Sequence, residues 1–154
     1  MSWSALTTPQ ERYHKDGAVL ALPMVDAVTI YAGDLVRITA AGYATSTDAP
    51  ATGDMFAGVA METVANTATG HAAGSKNIRV YTSGVFSYPK ATPLQEDVGS
   101  LVYGGASDSA DDQQTVYAST AGAHEVLVGT VVGLDPDNAL NVLVKIFPFR
   151  AISA

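Results

Sequence analysis

Short runs of β-branched and aromatic residues, four to nine positions long, recur along the chain at Leu35–Ile38, Phe56–Val64, Ile78–Tyr81, Val85–Tyr88, Thr115–Ala118, Val126–Val132 and Val142–Phe147. Runs of this length and composition predict strands rather than helices. Each is bounded by residues that reverse a chain: Gly33-Asp34, Gly53-Asp54, Ser83-Gly84, Gly104-Gly105 and Asp135-Pro136-Asp137-Asn138. Glycine there supplies the positive φ, and proline the fixed φ, that tight turns require. One helical start is legible, Thr92-Pro93-Leu94-Gln95, where Thr92 would cap and Pro93 would take the first helical position, with Gly99 ending it after two turns at most. The expected fold is all-β, a compact β-barrel or β-sandwich body.

The pattern also predicts a loose internal duplication. Gly33-Asp34-Leu35-Val36, Phe56-Ala57-Gly58-Val59-Ala60 and Asn77-Ile78-Arg79-Val80 are echoed by Gly99-Ser100-Leu101-Val102, Leu127-Val128-Gly129-Thr130-Val131 and Asn141-Val142-Leu143-Val144, at offsets of about 64 to 71 residues. Two β units of similar plan would pack around one core. The first 26 residues fall outside this rhythm. Trp3, Leu6, Pro9, Tyr13 and His14 are spaced too widely among polar residues to build a core, so residues 1–26 read as an extended arm. It carries the chain's one Trp, an anchor residue of protein interfaces, and so reads as ordered by a partner; the alternative is that it folds back along its own body. The body is expected over 27–147, with a tail over 148–154.

Composition narrows the function. The 154 residues are 47% hydrophobic and only 15% charged, against about 25% in ordinary globular chains, so small and hydroxylic side chains must cover much of the surface. The formal net charge of −7 argues against nucleic acid or an acidic membrane as partner. Between Lys90 and Lys145 there is no Lys or Arg at all, while eight Asp and Glu fall there. Absence of cysteine removes disulfides, thiolate nucleophiles and thiolate-bound zinc. No basic leader followed by an apolar stretch opens the chain, and no run approaches a membrane span, so a soluble protein made in the cytosol without an export signal is expected.

Motifs for chemistry are incomplete. His124-Glu125-Val126-Leu127-Val128 begins like a zinc-protease HExxH but puts Val where the second ligand must stand. His14, His71 and His124 have no spacing that suggests a metal triad. Gly70-His71-Ala72-Ala73-Gly74-Ser75-Lys76 holds phosphate-loop ingredients in the wrong order, and a strand rather than a helix follows, so it reads as a hairpin connection. The loop Ser107-Asp108-Ser109-Ala110-Asp111-Asp112 lacks the central Gly and closing Glu of a calcium loop. Tyr43, Tyr81, Tyr88, Tyr103 and Tyr117 read as cross-strand packing residues, the alternative being stacking on sugars or bases. No catalytic residue, metal or cofactor is expected.

From Tyr31-Ala32-Gly33-Asp34-Leu35-Val36, through Ala57-Gly58-Val59-Ala60 and Thr82-Ser83-Gly84-Val85-Phe86-Ser87-Tyr88-Pro89-Lys90-Ala91, to Val98-Gly99-Ser100-Leu101-Val102-Tyr103 and the closing strands Val128–Val131 and Val142–Val144, the chain resembles the small capsid decoration, or cement, proteins of tailed bacteriophages. The likeness spans roughly 28–146 and rests on the order of short motifs. It implies a β-tulip-like body on the outer capsid face, often trimeric, synthesised in the host cytoplasm, with the N-terminal segment reaching to the major capsid protein. Trp3, Leu6, Arg12, Tyr13, His14 and Lys15 are then the expected capsid contacts. The long arm, the expanded connections near 40–55 and 104–125, and the tail Phe147–Ile152 depart from that pattern. The competing functional reading is a carbohydrate- or cell-surface-binding β module.

Overall fold

The computed structural model describes residues 18–46, 51, 53–104, 115–118 and 125–150. Eleven strands follow one another: β1 (Val19–Pro23), β2 (Thr29–Ile30), β3 (Leu35–Ile38), β4 (Ala44–Ser46), β5 (Met55–Ala60), β6 (Val64–Ala65), β7 (Asn77–Tyr81), β8 (Val85–Pro89), β9 (Leu101–Gly104), β10 (Val126–Leu134) and β11 (Asn141–Ile146). They make a five-stranded sheet ordered β1-β7-β5-β3-β4, a four-stranded sheet ordered β8-β11-β10-β9, and the pair β2-β6. The all-β class is as expected, and none of the three sheets closes into a barrel.

Two apolar clusters hold these sheets together. Successive residues of β3 and β5 point to opposite faces of the five-stranded sheet. Leu35, Phe56 and Val59 join Tyr88, Val102, Val126, Val128, Val131, Val142, Val144 and Ile146 of the four-stranded sheet. Val36, Ala57 and Ala60 instead join Met24, Ile30, Ile78 and Val80, with Leu20, Leu22 and Val64 packed against them. The five-stranded sheet is therefore covered on both faces. That explains why β5 reads Met-Phe-Ala-Gly-Val-Ala with no polar position, whereas β7, farther from the four-stranded sheet, alternates exposed and buried residues from Asn77 to Tyr81.

The duplication legible in the sequence has a structural counterpart. The orders β1-β7-β5-β3 and β8-β11-β10-β9 match element by element. Register matches too: Val19 to Pro23 lie opposite Tyr81 to Asn77, and Val85 to Pro89 opposite Lys145 to Asn141. In both units the third and fourth strands pair through a bulge at a glycine, with Gly58 opposite Val36 and Gly129 opposite Val102. Those glycines lie so close to the neighbouring strand that an added Cβ would fall 2.2 Å from the Tyr81 carbonyl oxygen and 2.0 Å from that of Lys145, so no other residue fits. Even the strand entrances agree. The Gly33 amide donates to Ala60 O (2.9 Å) and the Gly99 amide to Val131 O (2.8 Å).

Several local expectations are corrected. Residues 19–23, assigned to the arm, are strand β1, because Leu20 and Leu22 alternate inward and register against Val80 and Ile78. The run Phe56–Val64 is two strands, since β6 leaves the large sheet to pair with β2. Thr115–Ala118 contributes only isolated bridges, Val116 with Lys90 and Tyr117 with Tyr103. The expected helix is one 3₁₀ turn at Gln95–Asp97; Thr92 has positive φ and does not cap it, and the Asp97 carboxylate reaches back to accept from the Leu94 amide at 2.8 Å. At the other end, the Phe149 amide donates to Phe56 O (2.7 Å), and Arg150 lies over the Phe147 ring, tying the start of the tail to the body.

Candidate interaction surface

The expected capsid contacts Trp3, Leu6, Arg12, Tyr13, His14 and Lys15 lie outside the described residues, as do His124 and the acidic stretch at 108–112. Glu125 stands immediately before β10. Among the described residues no group of three or more His, Asp or Glu could hold a metal ion, and no helix is long and apolar enough to cross a membrane. The Gly70–Lys76 segment connects β6 to β7 and is fastened to the body. Gly74 donates to Met24 O (2.8 Å), Met24 donates to Lys76 O (2.9 Å), and the buried Asn66 Nδ2 donates to Val25 O (2.8 Å) and Ala72 O (3.0 Å). Its backbone is used by the fold, but as a crossover between sheets and not as the expected hairpin connection, because β6 pairs with β2 while β7 pairs with β1 and β5.

The tyrosines divide. Tyr88 is buried, and its hydroxyl donates to Gly33 O at 2.7 Å, joining the four-stranded sheet to the turn before β3. Burial, reinforced by the negative charge of Asp34, raises its pKa well above the ordinary 10.0. Tyr81 packs on Phe86 with ring centroids 5.7 Å apart. Tyr31 stands exposed by itself.

The surface best built for contact is one the motif reading passed over, the outer face of the four-stranded sheet. Val142, Val144 and Ile146 point into the core, so Asn141, Leu143 and Lys145 point out. Register then lays out rows across the strands. One row is Val85, Lys145, Thr130 and Leu101; the next is Ser87, Leu143 and Gly133. Val85 is 51% exposed, Leu101 46% and Val132, at the second bulge of β10, 44%. Lys145 is the one charged residue in these four strands.

The far end of the face is polar. Asn141 Nδ2 donates to Ser87 Oγ (2.9 Å), and Ser87 Oγ donates to the Asp135 carboxylate, which also accepts from the Asp137 amide (2.9 Å). The Ser87 hydroxyl, and after it the Asp137 amide, hold the Asp135 pKa below the ordinary carboxylate value, so this end carries a fixed negative charge at neutral pH. A solvent-exposed face with apolar residues, one cation and one anion suits packing against another protein surface.

A signal for this face existed in the sequence. Leu101-Val102 and the Val126–Val132 run, interrupted only by Gly129-Thr130, are apolar on both sides of their strands, and Lys145 is the one Lys or Arg of the segment from 91 to 149. What the sequence did not disclose is that this side stays exposed around Val85, Leu101 and Lys145, though Leu127 on it is buried, while the equivalent side of β3 and β5 is covered. Comparison with known protein families, curated proteins and solved structures finds no match to this chain.

Proposed function

We propose that the protein is a non-enzymatic structural component of a phage head, a decoration protein that binds the outer surface of the assembled capsid and cements neighbouring major capsid proteins. The observation that carries the reading is the exposed, charge-poor outer face of the four-stranded sheet, which fits a body packed among protein neighbours on a lattice, other copies of itself included. Specific support for the capsid comes from the motif order described above, whose segments fall on β3, β5, β8, β9, β10 and β11. A tulip-like variant of the sandwich, trimers that form about a threefold axis of the capsid lattice and not free in solution, and a location on the outer capsid face belong to the same proposal.

In this mechanism residues 1–16 supply the reach to the major capsid protein, through Trp3, Leu6, Arg12, Tyr13, His14 and Lys15. Ordering such a segment costs about 1–2 kcal/mol per residue, so its anchors must be buried or its backbone must add to a capsid strand. Many identical dockings on one lattice then multiply a modest single contact through effective concentration. Mixing the purified chain with unexpanded and expanded empty shells and sedimenting tests this directly. Binding to expanded shells, lost on deleting residues 1–16, is expected; no binding to either shell overturns the proposal. A glycan array separates the adhesin reading, which requires hits that the decoration role does not.

A further inference from the structure

We infer that the outer face of the four-stranded sheet is a self-association face, and that its occupant is the same face of a second copy related by a twofold axis. Two observations point there. First, this face is the counterpart of one that another sheet already covers within the chain. In the first unit Leu35 is fully buried and Val59 nearly so, under the four-stranded sheet; the residues at the same register in the second unit are Leu101, 46% exposed, and Thr130, half-buried. Leucine is kept at a position where, in this unit, no sheet among the described residues covers it.

Second, the charges on the face are arranged to match an inverted copy of themselves. Lys145 and Asn141 are four residues apart on β11, about 13 Å along the strand, and Asp135 joins Asn141 at the far end through the Asp135 amide and Asn141 O (3.2 Å). A twofold axis lying along the row of Ser87, Leu143 and Gly133 sets Leu143 against Leu143 and brings each Lys145 over the partner copy's Asn141 and Asp135. Both ion pairs form at once. A parallel superposition would place Lys145 on Lys145 and is disfavoured by like-charge repulsion. Four strands by five residues make a patch of about 19 Å by 17 Å, about 650 Å² over both copies, below the size of stable protein interfaces. Association in solution should therefore be weak, and become substantial when copies are concentrated on a repeating surface.

Sedimentation equilibrium of the full chain, from about 10 μM to about 1 mM, should show a reversible monomer–dimer equilibrium that weakens with added salt. Lys145→Glu should raise the dissociation constant at least tenfold, and Lys145→Glu combined with Asp135→Lys should restore it to within threefold. Because the chain has no cysteine, single thiols report the geometry even if the Asp135 variant folds poorly. Leu143→Cys should crosslink with a short bismaleimide far faster than Ala21→Cys on the five-stranded sheet. A chain that stays monomeric at 1 mM, a dimer indifferent to both Lys145→Glu and salt, or equal crosslinking at positions 143 and 21 would each overturn the inference. Shell binding is measured separately, so failure here leaves the capsid proposal standing and failure there leaves this one.

Discussion

Leu35 and Leu101 occupy the same place in two sheets of the same strand order, each opening its strand two residues after a glycine of near-identical φ, +92° at Gly33 and +93° at Gly99. One is fully buried and the other half exposed. The contrast between the two units lies almost wholly in what covers them. The first contributes a sheet with layers on both faces; the second contributes a sheet whose inner face completes a core and whose outer face is open. Equivalent strands can thus serve opposite purposes, because burial belongs to the neighbouring layer and not to the strand. Arg37 marks the same divergence. In the first unit it follows the bulge and pairs, buried in the structure, with Asp54, while donating through Nε to Ser46 O at 2.8 Å; the second unit has the half-buried Tyr103 there.

The most severe test of the equivalence is the pair of bulge glycines. Gly58→Ala and Gly129→Ala each drive a Cβ into a backbone carbonyl of the adjacent strand, which cannot rotate aside, so each should cost at least about 3 kcal/mol in chemical denaturation. Tolerance of Gly129→Ala alone would mean that the two bulges are not the same device.

Truncating the matched leucines should split the units apart. Leu35→Ala removes a fully buried side chain from the shared core and should cost about 2–5 kcal/mol, whereas Leu101→Ala should stay within about 0.5 kcal/mol in dilute solution. Equal losses at both positions would show that something covers Leu101 even in the single chain.

Tyr88→Phe probes the hydrogen bond linking the two units and should cost about 1 kcal/mol at neutral pH. Its raised pKa adds a pH signature. The folded state prefers the protonated phenol, so stability from this group is intact below the ordinary value of 10.0 and is lost as pH climbs from there toward the folded-state value. The wild type should lose stability through that alkaline range more steeply than Tyr88→Phe, as read from melting temperatures at stepped pH.

The smallest effect belongs to Glu62, which accepts from Arg79 Nε (3.1 Å) and Nη2 (2.9 Å) on the exposed side of the first unit. Although the side-chain hydrogen bond from Arg79 lowers its pKa, the pair is open to solvent. Glu62→Gln should leave the melting temperature unchanged within error and only reduce its dependence on salt.

Much of this architecture could be read from the chain, and the reasons are local. Alternation at Asn77–Tyr81 and Asn141–Ile146, turn residues between runs, and two sets of echoing motifs report directly on strands and on their repetition. Two-residue strands such as β2 and β6 carry no periodicity, and β1 was hidden because it lies in the short apolar run Ala18–Val25, where no polar residue alternates with Leu20 and Leu22. The 3₁₀ turn eluded the capping pattern because its cap comes from behind, from Asp97. The expected arm contacts lie outside the described residues, while the open face was concealed for a different reason: apolar residues on both sides of a strand look alike whether one side is covered or bare.

By itself, then, the order of side chains determined the strand class, the reversals, the duplication and the lack of thiol chemistry, since each depends on a residue and its near neighbours in sequence. The tertiary structure alone decided that the sheets stay open, that Tyr88 bridges the units, and that Leu35 is sealed while Leu101 meets solvent. Those outcomes depend on which layer lies 10 Å away across a core, and that is set by contacts between residues far apart along the chain, which no local pattern encodes.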